Sequence, residues 1–107
     1  MLAWLLSALG RFPREQRHTV QQHMADLAMR VLDQTIAARH LPGGLRAQAL
    51  RDADVALDQL RQYAHIALLQ KWWSPGQYAH FSGLTSELGR LLGGWRRRMA
   101  SPNGRVP

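Results

Sequence analysis

The chain is predicted to be all-α, a four-helix bundle of one short N-terminal helix and three long ones. Three observations predict it. Apolar residues recur at spacings of three and four, the pattern of one helix face, and no stretch alternates with period two for long. β-Branched residues are few. Strong breakers fall between the periodic stretches, at "LPGG" (41–44) and around "WSPG" (73–76). Residues 1–99 are expected to form the one bundle domain, and residues 100–107 a polar, turn-rich C-terminal tail.

The first helix is expected over about Leu2 to Leu9, ended by Gly10. It is apolar but lacks the basic leading segment and small-residue cleavage site of a signal peptide. It is also far shorter than the roughly 20 residues a membrane span needs. A docking helix is expected there. The second helix is expected to start at Pro13, where a missing N–H does no harm, with Glu15 in its first turn. Val20, Met24, Leu27, Ala28, Val31, Leu32 and Thr35 form its apolar stripe, and it should stop near Leu41.

The third helix is expected from about Arg46. Leu50, Ala53, Leu57, Leu60, Ala64 and Ala67 make a seam of alternating threes and fours. Val55, Ile66 and Leu69 fall nearly opposite that seam at about 100° per residue. Two apolar faces on one helix of so small a domain predict burial on both sides, within the bundle and against another subunit. Arg51, Asp54, Asp58 and Arg61 on the same helix are spaced for local ion pairs. Trp72 and Trp73 follow at its end, one expected to pack and the other to seal the turn. Ser74 reads as the N-cap of the fourth helix, with Pro75 first and Gln77 three residues after the cap. Gln77, Phe81, Leu84, Leu88, Leu91, Leu92 and Trp95 would be the apolar face of that helix, Trp95 closing the bundle end.

A second line on the fourth helix holds only small residues: Ser82, Ser86, Gly89 and Gly93. Glycine costs roughly 1 kcal/mol relative to alanine inside a helix. Either these glycines weaken a fraying end, or they admit a close helix contact within the bundle or between subunits.

Composition narrows the function. The formal charge is +7, and 13 of the 14 basic residues are arginine. Such a balance suits a polyanion, and the guanidinium fork suits phosphate. Arg90, Arg96, Arg97, Arg98 and Arg105 all follow Glu87, the last acid. The run Arg96–Arg98 is a dipole-matched helix end in one reading and the edge of a phosphate-binding surface in the other, to which Arg11, Arg14, Arg17 and Lys71 would add. The absence of cysteine excludes disulfides and thiolate metal sites, and fits a cytoplasmic location. The five histidines make no i, i+4 pair of the helical zinc type, and no metal, cofactor or catalytic constellation is expected. The chain is read as a non-enzyme.

Four segments carry a family resemblance. "RFPREQRHTV" (11–20), "LRDADVALDQLR" (50–61), "SPGQY" (74–78) and "ELGRLLGGW" (87–95) resemble, in order and spacing, the accessory variability determinant (Avd) proteins of diversity-generating retroelements. These sit within a wider four-helix-bundle group that includes proteins encoded by 23S ribosomal RNA intervening sequences. The resemblance covers about residues 2–96. It implies a homo-oligomeric barrel, a pentamer, with a basic surface. It also implies a non-enzymatic partner of the retroelement's reverse transcriptase that engages template-repeat RNA and cDNA during mutagenic retrohoming, with no membrane involved. By position, Arg14, Arg17 and Arg90 match the family's basic residues, whereas His65 stands near a position where the family often has another. Two alternatives remain open at this point: an intervening-sequence type of protein with general nucleic-acid binding and no polymerase partner, and a small scaffold that binds anionic membranes through "MLAWLLSALGRF".

Overall fold

The computed structural model describes residues 1–9 and 17–100, apart from the side chains of Arg17, His18 and Ala100. Among these residues there is no strand. The elements are α1 (Leu2–Leu9), a π-helical turn (Arg17–Gln21), α2 (Gln22–His40), α3 (Gly43–Leu69) and α4 (Pro75–Ala100). Gly10, Pro13 and Glu15, expected to end one helix and start the next, lie outside the described residues, as does the tail from Ser101.

Helix α3 is the spine. It packs along α2 on one side and α4 on the other, while α2 and α4 scarcely touch each other. The seam predicted for it is its buried face: Leu50, Ala53, Leu57, Leu60, Ala64 and Ala67 are all buried. Met24, Leu27, Ala28 and Val31 of α2 and Phe81 and Leu92 of α4 complete the core. The three long helices draw the molecule out to 50 × 23 × 18 Å.

Helix α1 fills the fourth position at one end only. Its Leu5, Ala8 and Leu9 are buried, and Trp4 packs on Trp73, His80 and Phe81. The Trp73 indole N–H points at the Ala8 carbonyl, 3.5 Å away. Of the two adjacent tryptophans, Trp73 packs in the core, and Trp72 lies half-buried against it.

The short reach of α1 corrects one expectation. Leu91, assigned to the apolar face of α4, is 66% exposed. It lies on the same side of α4 as His80, where Trp4 sits, but eleven residues further on. That is about 16 Å along a helix, beyond the stretch that α1 covers. Leu32, assigned to the core stripe of α2, is also exposed; it lines up instead with exposed Met29 and Ile36, on a flank that no other described helix covers.

The connections explain where each helix stops. Helix α2 ends at His40, and the Arg46 Nε–H donates to the carbonyls of Ala38 (2.8 Å) and Leu41 (2.9 Å), capping its last turn. Helix α3 begins three residues earlier than expected, at Gly43. The Pro42 carbonyl accepts from both the Leu45 and the Arg46 amides, which closes the first turn ahead of Arg46. Gly43 carries φ +45°, so its glycine is required there. At the other end of α3, the Lys71 amide donates to Leu68 and the Trp72 amide to Ala67. This is the paired closure of a Schellman motif. Its left-handed position belongs to Lys71, at φ +63°. The start of α4 is the predicted reciprocal cap: the Ser74 amide donates to Gln77 Oε1 (2.8 Å) and the Gln77 amide to Ser74 Oγ (3.1 Å).

Candidate nucleic-acid interface

The basic residues are positioned by the side of α4 that meets α3. Thr85 is 1% exposed, and its hydroxyl donates to the Ser82 carbonyl at 3.0 Å. The Thr85 carbonyl in turn accepts from Arg61 Nη2 of α3 at 2.8 Å. Arg61 can reach it because the next turn of α4 is bare. A Cβ added at Gly89 would stand 2.5 Å from Arg61 Nη2 and 3.8 Å from Leu57 Cδ2.

Toward the C-terminus the guanidinium that lies over each glycine is one of α4's own. A Cβ at Gly93 would meet Arg97 Nη1 at 3.3 Å, and one at Gly94 would meet Arg98 Nη1 at 3.6 Å. Within this chain, then, Gly89 and Gly93 seat guanidinium groups. Ser82 is half-buried and Ser86 exposed.

Arg51, Asp54, Asp58 and Arg61 do not form the local ion pairs expected of their spacing. Asp54 pairs with Arg96 of α4 at 2.8 Å, 42 residues away. Arg61 is committed to Thr85, and Arg51 Nη2 donates to Gln48 Oε1 at 3.1 Å. The cause for Asp54 and Arg61 is the close pairing of α3 and α4, which offers each a partner across the interface, whereas Arg51 turns to Gln48 of its own helix.

Three arginines converge as a result. Arg51 comes from the third turn of α3, and Arg96 and Arg97 come from the last turns of α4; Gly43, Gly44, Ala47, Gly93 and Met99 line the space between them. Arg51 and Arg97 are exposed, while the Arg96 side chain is 39% exposed beside Asp54. Arg98 is also exposed, and Arg90 lies exposed two turns before it. Of the arginines singled out from sequence, Arg96 and Arg97 are thus together, and Arg51 joins them unforeseen. Its neighbourhood with Asp54 had suggested only a local charge pair; nothing in its own segment announces a position opposite the end of α4. Arg11 and Arg14 lie outside the described residues, as does the side chain of Arg17, whose backbone opens the π-helical turn.

Val55 and Ile66 are exposed on the face of α3 away from its core seam, with Leu69 beside them in register. Among the described residues no group of three His, Asp or Glu comes together. No described helix is long and apolar enough to cross a membrane.

No curated protein and no solved structure matches the chain. A family model described as bAvd-like does, over residues 1–99. That span takes in all four resembling segments and every described element but the last residue of α4. The chain belongs to the bAvd-like family and is an Avd-type protein.

Proposed function

We propose that the protein is the accessory subunit of a diversity-generating retroelement. It binds the element's reverse transcriptase and its template-repeat RNA and supports mutagenic cDNA synthesis without catalysing a step itself. The observation that carries this reading is the family match across residues 1–99. The charge distribution supports it: Arg90, Arg97 and Arg98 are exposed on α4, and exposed Arg51 of α3 lines the same groove as Arg97. Arginine at such density suits a phosphodiester backbone, where each guanidinium can engage a phosphate through two N–H groups. Arg11, Arg14 and Arg17 extend the same chemistry near the N-terminus.

The reading includes a homo-oligomer, a pentamer by family resemblance. Its support within the chain is apolar surface that the bundle leaves uncovered, at Val55, Ile66 and Leu69 of α3 and at Met29, Leu32 and Ile36 of α2. Side chains of this kind in register are the surface that subunits bury.

The test is reconstitution. Purified reverse transcriptase and template-repeat RNA are assayed for template-primed cDNA with and without this chain. Adenine-mutagenised cDNA is expected only when the chain is present. Equal cDNA yield and mutation frequency without it contradict the proposal.

A further inference from the structure

The space between the start of α3 and the end of α4 is a groove of about 570 Å³. Its composition is unusual for a helix–helix junction. Two of its walls are backbone: Gly43 and Gly44 on α3, Gly93 on α4. A Cβ added at Gly43 or Gly44 would meet nothing within 4 Å, so the missing side chains leave open room. The charged lining is Arg51, Arg96 and Arg97, and no acid among the described residues lines the groove.

These three arginines are not equivalent. Arg96 is fixed by Asp54, one turn along α3 from Arg51, which cancels its charge and holds the two helices together. Arg51 and Arg97 keep their charge and face each other from opposite helices. The Gly93 backbone lets the Arg97 guanidinium lie back against α4, its Nη1 3.3 Å from the position a Cβ would take. No side chain caps α3; its Leu45 and Arg46 amides are taken by the Pro42 carbonyl, so the donors of this groove are the arginines.

We infer that this groove grips the sugar–phosphate backbone of a single nucleic-acid strand. Arg51 and Arg97 are the two phosphate contacts, and Arg96 with Asp54 is the brace that sets their spacing. The inference rests on the nucleic-acid reading above and assigns that reading a place. A strand suits the groove better than a free anion for two reasons. The groove is partly open to solvent rather than a closed cavity around a single phosphate. Its positive surface also continues past Arg97 to exposed Arg98 and, two turns back, Arg90. Gly44 has an ordinary helical φ, so its bareness serves access rather than backbone conformation.

The experiment is a fluorescence anisotropy titration of a short labelled single-stranded RNA with the full chain, over a series of salt concentrations. Three variants are compared with the wild type. R51Q/R97Q empties the groove of its free charges. R30Q/R39Q removes two exposed arginines of α2 and matches the loss of net charge. Gly44→Leu plugs the groove and alters no charge. All changes are at exposed positions, and circular dichroism verifies the helix content of each.

R51Q/R97Q is expected to weaken binding about tenfold more than R30Q/R39Q and to reduce the salt slope by about 1.4, near 0.7 per lost single-strand phosphate contact. Gly44→Leu is expected to weaken binding as well. Equal weakening by the two arginine pairs overturns the inference and leaves a diffuse basic surface, with the proposed function intact. Retained RNA binding but lost reverse-transcriptase binding in R51Q/R97Q also overturns it, making the groove a protein-docking site. Inorganic phosphate that displaces the RNA at equal phosphate concentration makes it a free-anion site and overturns it too. Absence of RNA binding by the wild type at low salt removes both this inference and the nucleic-acid part of the proposed function.

Discussion

At the scale of single residues, glycine makes room for arginine. Gly89 is inside a long helix, where alanine would be favoured by roughly 1 kcal/mol. Its lack of a Cβ lets Arg61 reach the Thr85 carbonyl, and a hydrogen bond from a charged donor contributes about 1.5–3 kcal/mol. The two magnitudes predict a sign. Gly89→Ala should destabilise the chain by about 1 kcal/mol in urea unfolding, because the displaced guanidinium loses its bond. In an Arg61→Ala background the same change should stabilise by about 1 kcal/mol, because only helix propensity remains. Equal effects in both backgrounds would show that Arg61 is not what the glycine accommodates. Lys71 gives the opposite case. It holds a left-handed conformation with a side chain present, so Lys71→Gly should raise stability by about 0.5–1 kcal/mol in the same assay. None of this could be read from the segment "SELGRLLGGWRRR" alone. Spacing there identifies a bare line on the helix, and the partners of that line lie on α3. The Asp54–Arg96 pair hides for the same reason: short-range spacing offers Asp54 the nearer arginines of its own helix, and only the packing of α3 on α4 brings Arg96 closer.

At the scale of elements, what the sequence makes legible is what is local and periodic. The α3 seam is predicted residue for residue because each position repeats at three or four, and all six seam residues are buried. The Ser74–Gln77 cap is likewise a four-residue signal, and Ser74→Ala should lower stability by about 1 kcal/mol, with loss of helicity at the start of α4. Retained amide-exchange protection of the first α4 turn would contradict that role. Element ends are less legible. "LPGG" reads as a stop, yet the same glycines open α3, since the Pro42 carbonyl can close the next turn at once. The closure of α3 at Lys71 gives no signal because the residue in the left-handed position is not glycine. The π-helical turn over Arg17–Gln21 has none either. Helix α1 is predicted to its bounds, but its consequence, an α4 covered at one end and bare at Leu91, depends on how the elements are arranged in space.

At the scale of the whole molecule, charge and uncovered apolar surface divide the labour. Exposed Arg51, Arg97 and Arg98 lie where α3 begins and α4 ends; exposed Val55, Ile66 and Leu69 lie in register on the outer face of α3, and Met29, Leu32 and Ile36 on the flank of α2. The first surface is assigned to RNA and the second to subunit contact. Val55→Glu with Ile66→Glu should convert the oligomer to a particle near the 12.1 kDa of one chain by light scattering, because burying unpaired carboxylates between subunits is strongly unfavourable. An unchanged mass would move the subunit contact to the α2 flank. If this bundle is a polymerase partner, as proposed, that shows in the mass of what it forms with the retroelement's reverse transcriptase. The two proteins are mixed and passed through a sizing column with light scattering. The account predicts a homo-oligomer for the chain alone and, in the mixture, one co-eluting species heavier than either component. Two separate peaks with the masses of the unmixed proteins, at low as well as physiological salt, would contradict it.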